Sequence, residues 1–155
     1  MQMQSFMTTR VVSVGPDDTL TQVKEIFDNT RFHHLLVVDK GRLLGVLSDR
    51  DLLRHISPFV GSLHETTRDI CTMKRRAHQI MAHHPITLGP TADLSEAVDI
   101  FKQHSISCIP IVDKDNHPVG IISWRDLLRF VNDLTPPAPL PAGTGICTQG
   151  PAVNG

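Results

Sequence analysis

The chain has 155 residues, 40% hydrophobic and 20% charged, the profile of one soluble domain at roughly 100–200 residues per domain. A formal net charge of −1 gives no field that would recruit nucleic acid or an anionic membrane as the main partner, and no apolar run reaches membrane-spanning length or the form of a signal peptide. Cys71, Cys108 and Cys147 are odd in number and lack a Cys-x-x-Cys pair, which argues against a disulfide frame or a thiolate metal site and for a reducing cytoplasm.

In chain order, Val11-Val12-Ser13-Val14 reads as a short strand stopped by Gly15-Pro16. Leu20, Val23, Ile26 and Phe27 then share one helix face, and Thr19 with Gln22 occupies the positions of a capping box. Leu35 to Val38 is a continuous apolar run suited to a strand covered on its faces. Asp39-Lys40-Gly41-Arg42 turns the chain into a second strand, Leu43 to Leu47. Another helix begins near Ser48 and carries Leu52, Leu53 and Ile56. The order over residues 1–56 is β-α-β-β-α.

Residues 57–79 form a connector longer than a usual loop, expected to hold a helix with Ile70, Met73, Ala77 and Ile80 as its apolar stripe. Lys74, Arg75 and Arg76 would then face solvent rather than nucleic acid. Over residues 80–134 the β-α-β-β-α order returns: Ile86 to Leu88, Leu94 to Phe101 behind Asp93 and Glu96, Cys108 to Val112, Val119 to Ile122, and Ser123 to Val131. Residues 135–155 are rich in Pro and Gly and read as a disordered tail.

The two stretches are copies. Met7 to Arg54 realigns on Met81 to Arg129 with roughly a third of positions identical and a one-residue difference in the hairpin turn. Such a unit cannot bury its apolar face alone. Two copies packed sheet against sheet about an approximate two-fold axis give a mixed α/β (α+β) fold with two equivalent clefts.

Each copy closes on nearly the same phrase, GVLSDRDLLR (Gly45–Arg54) and GIISWRDLLR (Gly120–Arg129). Its form is Gly, two apolar residues, Ser, two variable residues, Asp. Two readings of Ser48 with Asp51, and of Ser123 with Asp126, stay open on spacing alone. They are capping boxes at the helix start, or they receive a ligand whose phosphate meets the helix end and whose ribose hydroxyls meet the carboxylate. The glycine points to close approach by another backbone or a flat ligand.

The doubled β-α-β-β-α pattern resembles the tandem cystathionine-β-synthase (CBS) domain pair, or Bateman module, of the stand-alone bacterial type. The resemblance rests on Ile80-Met81, the apolar helix after Pro90, Ile109-Pro110-Ile111-Val112-Asp113 and both closing phrases, and covers about Phe6 to Val131. It implies binding of adenosine-containing ligands (AMP, ADP, ATP or S-adenosylmethionine) in the clefts. Asp51 and Ser48 would serve one cleft, Asp126 and Ser123 the other. Backbone around Val12 and Ile86 would read the adenine edge. Leu35, Leu36 and Val46 would wall one site, and Ile109, Pro110 and Ile121 the other. Residues just before the second strand, His33 and His34 in one repeat and Ser107 and Cys108 in the other, would touch phosphates, the histidines more strongly below about pH 6.5, where imidazole charges.

Repeat one departs from the family pattern, with Leu36 and His34 where repeat two has Pro110 and Cys108. Both changes would narrow or reshape the first cleft, so one working site is as open a reading as two, with the Asp126 motif favoured as the better formed. Arg50 and Arg125, one before each motif Asp, have four open readings: neutralising phosphate, pairing with that Asp, lining a dimer interface, or simply standing exposed on the surface. No metal, cofactor or catalytic group is expected. Neither His33-His34 nor His83-His84 chelates on its own in extended chain, and Ser48 and Ser123 sit at helix caps rather than in a nucleophile elbow. The expected function is a cytoplasmic, homodimeric regulatory module with an adenosine ligand, signalling in trans to an unknown effector protein. The alternative is a dimerisation or partner-docking scaffold whose clefts take no ligand.

Overall fold

Strand β1 is only Ser13–Val14, because Gly15-Pro16 follows and proline has no amide for a ladder. The computed structural model describes residues 1–134; the expected tail, with Cys147, lies outside them. Helix α1 (Leu20–Asn29) opens on the expected capping box, in which Gln22 Oε1 accepts the Thr19 amide at 2.8 Å. Strands β2 (His34–Asp39) and β3 (Arg42–Ser48) form a hairpin turned at Lys40 and Gly41, both at positive φ (48° and 80°), as a two-residue turn matched to strand twist requires. Helix α2 (Asp49–His55) follows.

Repeat two supplies α4 (Leu94–Gln103), β5 (Cys108–Val112), β6 (Pro118–Ser123) and α5 (Trp124–Leu134). Both hairpins carry an irregularity at the same place, between Val37 and Val38 and between Ile111 and Val112. The fold is mixed α/β, as expected, and no helix of the described residues is long and apolar enough to cross a membrane.

Strand alternation builds three cores from the apolar runs. Leu35, Val37 and Leu47 face the helices of repeat one, packing on Leu20, Val23 and Leu52. Ile109, Ile111 and Ile122 do the same in repeat two with Ala97. The residues between them, Leu36, Leu43, Val46 and Cys108, form the seam where the repeats meet. A run that alternates between two cores must be apolar at every position, which is why these strands lack polar alternation.

Each repeat is completed by a segment that precedes the other. Strand β4 (Ala82–His83), which leads into repeat two, pairs antiparallel with β3 of repeat one at Val46 and Gly45. Conversely, Thr8, which leads into repeat one, exchanges both backbone bonds with Ile121 of β6, at 2.8 and 3.0 Å. The preceding 3-10 turns follow the same rule. Met3–Ser5 docks on repeat two through Met3 N to Ala92 O (2.9 Å), Gln4 N to Pro90 O (3.1 Å) and Leu94 N to Met1 O (2.9 Å). Ala77–Gln79 docks on repeat one through Ala77 N to Asp18 O (2.8 Å), His78 N to Pro16 O (3.0 Å) and Leu20 N to Arg75 O (2.9 Å). Met3 and Ala77 are fully buried in the cores they visit.

Two expectations change. The connector is not one amphipathic helix: α3 covers only Thr67–Thr72, and Met73, Ala77 and Ile80 are buried after it ends, while Ile70 stays 45% exposed. Its helical spacing was coincidental, because Ala77 and Ile80 belong to the docking turn. Ile86 to Leu88 is likewise no strand. In repeat one the Leu36 amide donates to Val12 O at 3.1 Å; Pro110 holds the equivalent place and has no amide to give Ile86. Pairing survives only at Leu88, whose amide donates to Pro110 O at 3.2 Å and whose carbonyl accepts the Val112 amide at 2.9 Å.

The exchanged segments explain the motif glycines. A Cβ at Gly45 would lie 2.5 Å from Met81 Sδ and 2.7 Å from Ala82 O; one at Gly120 would lie 2.6 Å from Met7 Sδ and 3.2 Å from Thr8 O. The close neighbour is the incoming backbone with its methionine. Gly45→Ala should therefore cost about 1–3 kcal/mol in thermal or urea unfolding. Gly120→Ala, which mainly displaces a flexible Met7 side chain, should cost less. Gly89→Ala, where a Cβ meets nothing within 4 Å, should stay within about 0.5 kcal/mol.

Candidate functional site

The Ser and Asp of each closing phrase form a reciprocal cap. Asp51 Oδ2 accepts the Ser48 amide at 2.9 Å and the Ser48 hydroxyl at 2.7 Å, while Ser48 Oγ accepts the Asp51 amide at 3.1 Å. In repeat two the corresponding distances for Asp126 and Ser123 are 2.8, 2.7 and 3.4 Å. Both bonds into each carboxylate end on Oδ2. Asp51 Oδ1 has no hydrogen-bond partner among the described residues, and Asp126 Oδ1 has only Arg129 Nη1 at 3.9 Å. Capping therefore occupies one oxygen of each carboxylate and leaves the other.

Both carboxylates line clefts that cross between the repeats. Asp51 and Ser48 border a cleft of about 420 Å³ whose far wall is Ser105 to Cys108 of repeat two, with Ala82 from the exchanged strand. Asp126, Ser123 and Ile121 border one of about 320 Å³ whose far wall is Arg31 to His34 of repeat one, with Thr8. The Asp51 cleft is the larger of these two. Leu36 cannot narrow it, because that side chain is fully buried in the seam.

Of the expected site residues, Ser48 and Asp51 reach the first cleft, and Ser123, Asp126, Ile121, His33 and Arg125 the second; His34 lines both. Val12, Ile86, Ile109 and Pro110 line neither. Ile109 and Pro110 are fully buried, so they form core rather than ligand wall. Val12 packs against the core of repeat one, and its carbonyl already accepts the Leu36 amide. Thr8, Ala82, Arg31, Ser105, Arg54 and Arg129 line the clefts without having been singled out. Arg54 and Arg129 were accessible to inspection, since both copies of the phrase end on that arginine. Thr8 and Ala82 carried no such signal.

The clefts meet at His34, whose Nε2 lies 2.7 Å from Ser107 Oγ across the repeat boundary. Burial lowers its pKa below the ordinary value; His33 and Arg125 add to this, while Asp49 and Asp51 oppose it. His34 therefore takes up a proton less readily than a free imidazole, which works against the stronger phosphate contact expected of it on mild acidification. Cys108 is pushed up to about 12, by burial first and then by the charge of Asp51. It is an inert thiol in the cleft wall. Arg50 and Arg125 do not pair with the motif aspartates; that contact belongs to Arg129.

Outside the clefts, Asp113, Asp115 and His117 cluster in the β5–β6 turn. There Asp113 Oδ1 accepts the Asp115 and His117 amides, both at 2.9 Å, which fixes the turn itself.

Two repeats sharing an α-β-β-α run that trade their leading segments around two Ser/Asp-lined clefts define a tandem-repeat module. The chain belongs to the CBS domain family, whose profile matches residues 3–58 and 77–133. It is 28% identical over 141 residues to a CBS domain-containing protein of Dictyostelium discoideum, covering 88% of this chain and 94% of that one. It spans about half, 48% and 46%, of two uncharacterized proteins of Methanocaldococcus jannaschii. Among solved structures, the CBS domain pair of protein MJ0100 in complex with 5′-methylthioadenosine and S-adenosyl-L-methionine superposes with a TM-score of 0.72 at 18% identity, over 86% of this chain and 98% of that one. The CBSX2 protein of Arabidopsis thaliana in complex with AMP does so at 0.70 and 23%, over 86% and 97%. At these identities the likeness is one of fold.

His34 gives this site a pH signature. Its folded pKa lies below the ordinary imidazole value, so below about pH 6.5 the unfolded chain binds a proton that the folded chain takes up less readily, and stability falls with falling pH. Melting temperatures followed from about pH 7.5 to about 5.5 should decline in the wild type and decline less in His34→Gln. Parallel curves for the two proteins would show that His34 is not held neutral.

Proposed function

We propose that this chain is a regulatory module that binds an adenosine-containing ligand in its two clefts, with an adenine nucleotide preferred over S-adenosylmethionine. The observation that carries this is the divided carboxylate: in each repeat Asp Oδ2 holds the helix cap, and Oδ1 is left for a ribose diol at a cleft wall. The basic side chains around each carboxylate support a ligand that is anionic beyond the ribose. His34, Arg50 and Arg54 line one cleft, and Arg31, His33, His34, Arg125 and Arg129 the other. Guanidinium groups pair with phosphate and repel a sulfonium. The ligands held by the MJ0100 domain pair and by CBSX2 support the adenosine part.

The proposal assigns no reaction to the module. The Ser48 and Ser123 hydroxyls already donate to carboxylates, and the buried thiol of Cys108 is held protonated. Since both clefts have walls from both repeats, a bound nucleotide favours one relative placement of the repeats over others, and that population shift is the signal an effector protein reads. The free thiols Cys71 and Cys108 suit a reducing cytoplasm.

A homodimer belongs to the same proposal. Helix α5 exposes Trp124, Leu128, Val131 and Leu134 along one side, and α2 exposes Leu53. Trp124 and Leu53 both line the hollow between the two helix starts, so the patch is continuous and carries a copy from each repeat. A second copy of the chain, presenting the same patch, is the occupant it fits.

Asp51→Ala with Asp126→Ala should each cost about 1 kcal/mol of folding stability through the lost cap and together abolish nucleotide binding. Wild-type protein at about 100 times the Kd of its nucleotide should gain about 2.7 kcal/mol. The double variant should melt cooperatively and gain nothing; an equal gain in both proteins would reduce the aspartates to caps. For the dimer, Leu128→Asp should convert the wild-type mass seen by light scattering to that of a monomer, with the fold retained by circular dichroism. A monomeric wild type would remove the second copy from the proposal.

A further inference from the structure

The two clefts are not separate chambers. Between them lies a hollow of about 260 Å³ lined by His33, His34, Arg50, Ser107 and Arg125. It shares His34, Arg50 and Ser107 with the Asp51 cleft, and His33, His34 and Arg125 with the Asp126 cleft. The three are contiguous, with a motif carboxylate in each outer cleft and one arginine from each repeat in the hollow between them. Arg50 is carried by α2 of repeat one and Arg125 by α5 of repeat two, so each repeat contributes one guanidinium to the hollow.

Little opposes the charge of that pair. The carboxylate lining the hollow is Asp49, and its Oδ2 is engaged by His33 Nδ1 at 2.8 Å. Among the described residues the one arginine–carboxylate pair is Arg129 with Asp126. Arg50 and Arg125 therefore have no carboxylate within 4.0 Å, and Arg125 rests over the Trp124 ring at 5.4 Å. Two unpaired guanidiniums beside the Ser107 hydroxyl suit the terminal phosphates of a nucleotide whose ribose sits at Asp51 or at Asp126. They suit one such tail. Tails entering from both ends would press like charges into one small, partly buried space, where Coulomb repulsion is screened far less than in water.

We infer that the two clefts share one anion-binding centre, so that a nucleoside triphosphate in either cleft excludes a second from the other, whereas adenosine fills both. This rests on the nucleotide proposal above and adds a rule of occupancy to it. The rule makes the module respond to which ligand is present as well as to how much, because the triphosphate loads it asymmetrically.

Native mass spectrometry and isothermal titration of the full chain with ATP, and separately with adenosine, test this. The expected result is one ATP but two adenosines per chain. Asp51→Ala and Asp126→Ala should each still bind one ATP, because either cleft can serve. Arg50→Ala combined with Arg125→Ala should weaken ATP by about tenfold or more and change adenosine by less than about twofold. Two ATP molecules per chain at similar affinity would overturn the inference. So would loss of the single ATP in one aspartate variant with no effect in the other, since that would mean a single working cleft. An arginine variant that weakens adenosine as much as ATP would do the same. If the wild type binds neither compound, the nucleotide proposal itself fails, and the occupancy rule goes with it.

Discussion

The last strand of each repeat is covered by a segment that leads into the other, Ala82–His83 on Gly45 and Val46 and Thr8 on Ile121. This exchange needs a residue without a side chain under the incoming backbone, and Gly45 and Gly120 provide it. It also needs an anchor upstream, provided by the buried Met3 and Ala77 turns with their matching hydrogen bonds to Ala92 and Pro90, and to Asp18 and Pro16. Because the exchange is reciprocal, neither repeat has a complete sheet or core without the other. A small β-α-β-β-α unit has too little interior to be stable alone, and here the missing portion comes from its partner's approach segment.

Every property of the clefts follows from that arrangement. The Ser–Asp cap of one repeat faces the pre-strand residues of the other, so Asp51 looks across at Ser107 and Cys108, and Asp126 at His33 and His34. The exchanged strands floor both clefts through Ala82 and Thr8. At the axis the two far walls touch through His34 and Ser107, and the arginines that precede the motif aspartates converge on the same hollow. The motif carboxylates line the outer clefts, and Arg50 and Arg125 line the hollow between them. That polarity matches a nucleotide lying with its sugar outward and its phosphates inward.

Much of this was legible in the chain, for identifiable reasons. Helices α1, α2, α4 and α5 and both hairpins carry periodic apolar faces, capping pairs or turn residues, which are local signals. Ser48, Asp51, Ser123 and Asp126 were legible because the phrase occurs twice in one register. What failed depended on contacts distant in sequence. The stripe Ile70, Met73, Ala77, Ile80 has helical spacing, yet the last two residues are buried by docking on repeat one rather than by sharing a helix. Ile86 to Leu88 has strand composition, yet Pro110 on the neighbouring strand withholds the amide that pairing requires. Ile109 and Pro110 match the family's cleft-wall segment, yet both are fully buried as core.

By itself the amino-acid order determined the repeat, the α/β class, the elements with their caps and turns, and the pair of acidic motifs, because each of these is written in spacings within one element or its copy. Only the tertiary structure decided which motif faces which wall, that the glycines admit the crossing segments, and that Arg50 and Arg125 line one hollow. Those outcomes depend on how two similar units dock, and docking is set by buried surface and backbone pairing between residues far apart in the chain. Nothing local in the order of residues encodes them.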